Sequence, residues 1–372
     1  MARKPTKFEF AQQQAERTVN KTNVKIEELG EHTERLYGAL KDIQLLFDSI
    51  RNIPDENRIK YGELKKIQLY WKQQAENIAL EYKKAKAKVS GKGVAGLGAG
   101  VAVVTMGPTA AMGIATTFGV ASTGTAISTL SGAAATNAAL AWLGGGALAA
   151  GGGGIAAGNT FLALAGPIGW AIAGVSLLTS GLFIFKSRKD KQHLEDIYTL
   201  ISIRDTKSYE LAIVELNERI ERITDETSNL KLASLEIKSF GIDYSQMTEA
   251  QQYELGSYVN LMEASTMLLV NPILGLQPKY TEKHFEQLLN SNNSIMLDME
   301  YLKDHSDMVI SLCNLLYKIY LDEKDKKLLT KSLRKNKEFL KSIKMSKKEL
   351  DVGALFLVEK ALEYRYITSS YK

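Results

Sequence analysis

The four histidines and the single cysteine are the first places to look for chemistry in this chain. His32, His193, His284 and His305 lie far apart, each in a polar stretch of helical pattern, and none belongs to an HExxH pair or a Cys/His cluster. A metal site needs convergent ligands, so each reads as a surface or internally satisfied histidine. Cys313 falls among Val309, Ile310, Leu312, Leu315 and Leu316, where a thiol serves as a small buried hydrophobe. One cysteine forms no disulfide within the chain, so nothing argues for an oxidising compartment. Gly91-Lys-Gly-Val-Ala-Gly has GxGxxG spacing, but it follows a lysine-rich helical pattern instead of a strand, and the context of dinucleotide binding is missing. There is no GxxxxGK[ST] loop and no GxSxG elbow. The carboxylates interleave with Lys and Arg, as on solvated helix faces. The expectation is a protein that is not an enzyme and takes no cofactor.

The distinctive chemistry is solubility in lipid. Lys92 and Lys186 bracket residues 93–185, which hold no Asp, Glu, Lys, Arg or His. A helical crossing of a hydrocarbon core about 30 Å thick takes about 20 apolar residues. The strongest candidate is Phe161 to Phe185, which includes Trp170 and Gly174 and carries Phe183 and Phe185 at its end. Gly166 and Pro167 would kink it near its start, which membrane helices tolerate. Val94 to Val120 is long enough but interrupted at Gly107-Pro108, and Ala126 to Ala150 carries Asn137 and a run of glycines. In lipid, helices associate through close packing of small residues. Gly96 with Gly100, and Gly154 with Gly158, have the GxxxG spacing for this. Trp170, Phe161, Phe183 and Phe185 are the residues expected to touch lipid, or, for Trp170, to pack on glycine faces. Basic residues flank the segment: Lys88 and Lys92 before it, Lys186, Arg188 and Lys189 after it. If both clusters stay cytoplasmic, the number of crossings is even.

The elements that would carry this segment are helices. Leu29, Leu36, Ile43 and Ile50 recur every seven residues, with Thr33, Leu40 and Phe47 four further on, an a/d stripe with one polar member. Pro54 ends this helix, and a second runs from about Arg58 to Val89, with Leu64, Ile67, Trp71, Ile78 and Leu80 apolar. After the segment, residues 192–240 form an amphipathic helix on Ile213, Leu216, Ile220 and Ile223. Helices are expected from Thr248 to Val270, Thr281 to Leu289, Ile295 to Leu321 and Lys324 to Tyr366. Strand alternation and internal repeats are absent, and prolines number only six. Residues 324–348 hold eleven Lys/Arg against two acids. Such a basic amphipathic stretch suits an anionic membrane surface, a nucleic acid or plain solvent; without an aromatic stacking platform no nucleic-acid partner is expected.

The fold class expected is therefore all-α: an elongated helical bundle or coiled coil with a central Gly/Ala-rich, membrane-inserting helical region. The division runs 1–90, 91–186 and 187–372. The N-terminus, Met1-Ala-Arg-Lys-Pro-Thr-Lys-Phe-Glu, lacks the apolar core of a signal peptide, so the expectation is synthesis in the cytoplasm and association with membrane. The run from Ala121 to Gly154 resembles the glycine-zipper membrane segments of bacterial proteins, a likeness covering roughly residues 91–186. The plan of helices around a hydrophobic insertion is similar to α-helical pore-forming toxins of the haemolysin E type. These resemblances imply membrane association and a pore-forming or permeabilising effector whose partners are the lipid bilayer and either further copies of itself or a helical protein. A second expectation is a constitutive membrane protein whose helical flanks scaffold partners.

Overall fold

The computed structural model describes residues 4–90, 108–118, 188–291, 299–335, 340 and 345–370. Among these, 83% are helical and there is no strand, so the fold is all-α. Helix α1 spans Lys7–Ser49, α2 Asp55–Ser90 and α3 Pro108–Phe118. Then come α4, Arg188–Ile237, and α5, Glu249–Val270. Shorter helices follow: α6 Glu282–Leu289, α7 Met299–Asp304, α8 Ser306–Leu316 and α9 Glu323–Leu333, with α10, Val352–Ser370, last.

The N-termini are set by local chemistry. Thr6 caps α1 and Thr248 caps α5, each in a reciprocal box with Glu9 or Gln251, so two orphan amides are satisfied at each end. The a/d stripe of α1 is buried in full, from Leu29 to Ile50. Its polar member Thr33 is also fully buried, and its hydroxyl donates to the Gly30 carbonyl at 3.0 Å. Of the apolar positions read in α2, Leu64, Trp71 and Ile78 are buried, whereas Leu80 faces solvent.

Helix α2 returns antiparallel to α1, as the pairs Phe47–Tyr61, Asp48–Lys65 and Tyr37–Trp71 require. Helix α4 runs parallel to α1: Phe8 shares a core with Leu194 at one end, and at the other Arg51 N–H donates to the Ile242 carbonyl while Tyr244 N–H donates to Arg51. Helix α5 packs antiparallel to α4, with Tyr258 on Glu236 and Arg219 donating to the Leu268 and Asn271 carbonyls. The result is a four-helix body built on α1, α2, α4 and α5, with α3 packed inside it. A second core joins the first turns of α1 and α4 to α6, α8, α9 and α10. Helix α4, about 75 Å long at 1.5 Å per residue, belongs to both cores.

Two expected helices are broken. The one expected to reach Leu321 stops at Leu316, because Arg204 takes the Leu315 and Tyr317 carbonyls and Lys318 turns into the left-handed region, φ 58°. The same stretch is also divided near His305. The helix expected from Lys324 to Tyr366 is interrupted: α9 ends at Leu333 in a turn at residues 334–335, and among the described residues the non-helical stretch 345–351 precedes α10. Between them Ser346 N–H donates to the Glu349 carboxylate, Met345 and Leu350 fill the second core, and Asp351 caps the new helix by accepting from Ala354 N–H.

Candidate functional site

Helix α3 is the only described part of the charge-free segment, and it sits in the core. Pro108 opens it, the helical position that tolerates proline because the lost N–H would have no partner. Ala110, Ala111, Met112, Ile114, Ala115, Thr116 and Thr117 are all buried. At eleven residues it is about 16 Å long, half the thickness of a hydrocarbon core.

Two glycines set how deeply α3 lodges. A Cβ on Gly30 of α1 would lie 1.9 Å from the Thr109 carbonyl oxygen, and one on Gly113 of α3 would lie 2.0 Å from the Ile26 carbonyl oxygen. The contact is reciprocal and antiparallel: each glycine leaves room for the carbonyl four residues before the other glycine. No residue with a side chain fits at either place. The polar groups of α3 are answered by the bundle. Trp71 Nε1 donates to Thr116 Oγ1 at 3.2 Å, Thr117 Oγ1 donates to Gly113 O at 2.8 Å, and the Thr117 carbonyl accepts from Ile273 N–H at 2.8 Å. Gln277 Nε2 adds a second donor to that carbonyl at 3.3 Å. Thus a segment without charge is held by apolar burial, one glycine crossing and a closed set of hydrogen bonds.

A polar seam lies where the two cores meet on α4. Asp205 is 3% exposed, and its Oδ1 accepts from Arg204 Nε at 2.8 Å. Arg204 Nη1 donates to the Leu315 and Tyr317 carbonyls at 2.9 and 2.7 Å, at the negative end of α8. Asn314 Oδ1 accepts from the Lys279 and Tyr280 amides at 2.8 and 3.0 Å. Burial pushes the Asp205 carboxyl up to about 6, against the opposing pull of Arg204 and Lys279. Burial likewise lowers the Lys279 ammonium. Asp205 Oδ2 is buried without a hydrogen-bond partner among the described residues.

The sequence-derived candidates fall in three groups. Gly96, Gly100, Gly154, Gly158, Phe161, Trp170, Gly174, Phe183, Phe185, Lys92 and Lys186 lie outside the described residues. Lys88 falls in the last turns of α2. Arg188 and Lys189 open α4 and are exposed. The histidines stay separate. His32 Nδ1 meets Thr224 Oγ1 at 2.9 Å, His193 Nδ1 lies 3.6 Å from Asp325, His284 completes the cap of α6, and His305 stacks on Tyr301. Cys313 is fully buried, and burial holds its thiol well above its usual range, which leaves no thiolate for nucleophilic work. No cluster of metal-ligating side chains occurs among the described residues.

The sequence reading missed the Gly30–Gly113 crossing. One signal was available: Gly30 interrupts an otherwise strong helix beside the one polar member of its stripe, and an interior glycine costs about 1 kcal/mol against alanine unless packing repays it. Helix α5 with the turn after it, Glu249–Leu276, is long and apolar enough to cross a membrane, but Leu255, Val259, Met262 and Leu269 are spent on the core. No family model, no curated protein and no solved structure matches this chain.

Proposed function

We propose that this protein is a membrane-inserting helical effector that permeabilises a lipid bilayer, and that its bundle shelters part of the inserting segment beforehand. One observation carries the reading: Pro108–Phe118, drawn from the charge-free stretch, is lodged inside a bundle of amphipathic helices. A segment rich in Gly and Ala suits two environments, because its small faces pack equally against another helix in water or in lipid. Burial of Met112 and Ile114 contributes about 2 kcal/mol each to the sheltered state, an amount that lipid would also supply. Release is therefore a modest exchange of apolar surroundings, whereas exposure of the same helix to water is not.

The test is dye release from vesicles, together with flotation and a carbonate wash. Intact protein is expected to release the dye and to remain with the vesicles after the wash, and deletion of residues 94–185 to abolish both. Background leakage at neutral and at acidic pH, with no wash-resistant protein, would refute the proposal.

A further inference from the structure

Two basic stretches that are far apart in sequence meet at one end of the molecule. Helix α9 lies along the first turns of α4: His193 Nδ1 is 3.6 Å from Asp325 Oδ1, and Tyr198 Oη is 3.1 Å from Ser332 Oγ. Arg188 and Lys189 are exposed in the first turn of α4, about 7 Å up the helix from His193. On α9 the exposed residues Lys324, Lys327 and Lys331 step by three and four, which puts them on one face. The opposite face, with Leu329, Thr330, Ser332 and Leu333, is buried in the second core.

Several acids at this end are engaged elsewhere, whereas Asp196 is exposed on α4. Lys326, the buried lysine of α9, holds Glu323 at 2.9 Å and Glu359 at 2.8 Å. Asp325 faces His193, Asp322 Oδ1 caps α9 at 2.7 Å, and Glu195 lies 3.5 Å from Lys191. Lys324, Lys327 and Lys331 form no ion pair with a described carboxylate. The row therefore presents three exposed lysines without a direct carboxylate partner among the described residues. Its position adds the second argument. Arg188 is the first described residue after the charge-free segment, and α2, running antiparallel to α1, carries Ser90 back toward this same end, away from the Arg51–Ile242 corner.

We propose that this end, with Arg188 and Lys189 beside Lys324, Lys327 and Lys331, is a docking face for an anionic phospholipid bilayer. The proposal rests on the membrane-inserting reading and adds the lipid class and the orientation: charge brings the molecule down on the end that carries Ser90 and Arg188, the described residues flanking the uncharged segment. Lysine near an anionic surface gains enough attraction to strengthen binding about five-fold per residue, so three lysines are worth on the order of 100-fold. Interfacial attraction of this kind is screened as the Debye length falls from about 8 Å at 0.15 M salt to about 3 Å at 1 M.

The experiment is sedimentation with phosphatidylcholine vesicles, alone or with about 30% phosphatidylglycerol, the anionic component that sets the surface potential. It compares the full-length chain, the triple variant Lys324→Ser, Lys327→Ser, Lys331→Ser, and the pair Arg188→Ser, Lys189→Ser. All five side chains are exposed, and circular dichroism checks that the variants fold. The expected result is preferential, salt-sensitive binding to anionic vesicles, weakened on the order of 100-fold in the triple variant and less in the pair. Equal binding to both vesicles that resists carbonate would overturn the docking face while leaving insertion intact. Anionic binding that washes off would sustain the docking face and count against insertion. Tight binding of a single-stranded RNA oligonucleotide, with none to anionic vesicles, overturns the docking face and assigns it to nucleic acid.

Discussion

Replacement of Asp205 by Asn should stabilise this protein at neutral pH and leave it unchanged in acid. Asp205 is buried on α4 between the two cores, with one carboxylate oxygen on Arg204 and the other unpaired among the described residues. Its pKa, 3.8 when solvated, is pushed up to about 6 in the folded chain. The folded state thus holds the proton more tightly than the unfolded state does, and stability falls as pH rises from about 4 through about 6. Above that window the loss is complete. At about 1.4 kcal/mol per pH unit the two-unit shift amounts to roughly 3 kcal/mol. Asparagine keeps an oxygen to accept from Arg204 and carries no charge, so it should recover most of that loss at about pH 7.5 and nothing below about pH 4. Urea unfolding followed by circular dichroism at several pH values measures the difference directly. A variant that is weaker at every pH, or a difference that is flat between about pH 4 and 7.5, would refute the reasoning. The sign also bears on triggering: protonation of Asp205 tightens the seam, so acid does not open the molecule through this group.

Two further outcomes follow from the packing. Gly30→Ala or Gly113→Ala should each cost at least about 2 kcal/mol, because a methyl at 1.9–2.0 Å from a backbone carbonyl forces α3 away from α1. Gly38→Ala and Gly62→Ala, with open space at the new Cβ, should instead gain roughly 0.5–1 kcal/mol; thermal unfolding of the four variants separates the classes. Cys313, fully buried with its thiol pushed up by burial, should resist maleimide labelling in the native state and react fully in urea; as the chain's only cysteine it reports on the second core, and rapid native labelling would contradict that core.

Helix type and core faces were legible wherever burial repeats along one helix. The seven positions read from Leu29 to Ile50 are all buried, since a stripe of one period can face only one way. Leu216, Ile220 and Ile223 follow the same logic on α4. Helix ends were less legible where a distant residue decides them. Nothing local to Leu315 announces that Arg204, 111 residues earlier, will take its carbonyl. The turns after Leu333 and before Val352 were read as helix because lysine and leucine favour that state; the Asp351 cap and the buried Met345 and Leu350 prevail at residues 345–351. Adjacent Arg204 and Asp205 look like two more solvated charges, and it is the approach of α8 and of the turn that carries Lys279 that encloses them.

The α3 crossing escaped the sequence because small residues carry so little shape, and under the proposed function that same property would let the segment exchange one set of neighbours for another. A large side chain specifies its neighbour by shape, so a helix that met α1 through Leu or Phe would be tied to one complementary partner. Small residues specify only a close approach, and any helix with a glycine at the right height satisfies them. Gly30 satisfies them in the folded bundle, where the Thr109 carbonyl occupies the space a side chain would need. At the crossing with α1 the contact is backbone proximity; away from it α3 is held by the buried Met112 and Ile114 and by the few directional bonds at Thr116 and Thr117. Those bonds are made to Trp71 and Ile273, so whatever separates α2 or the turn after α5 from the bundle also unlocks α3.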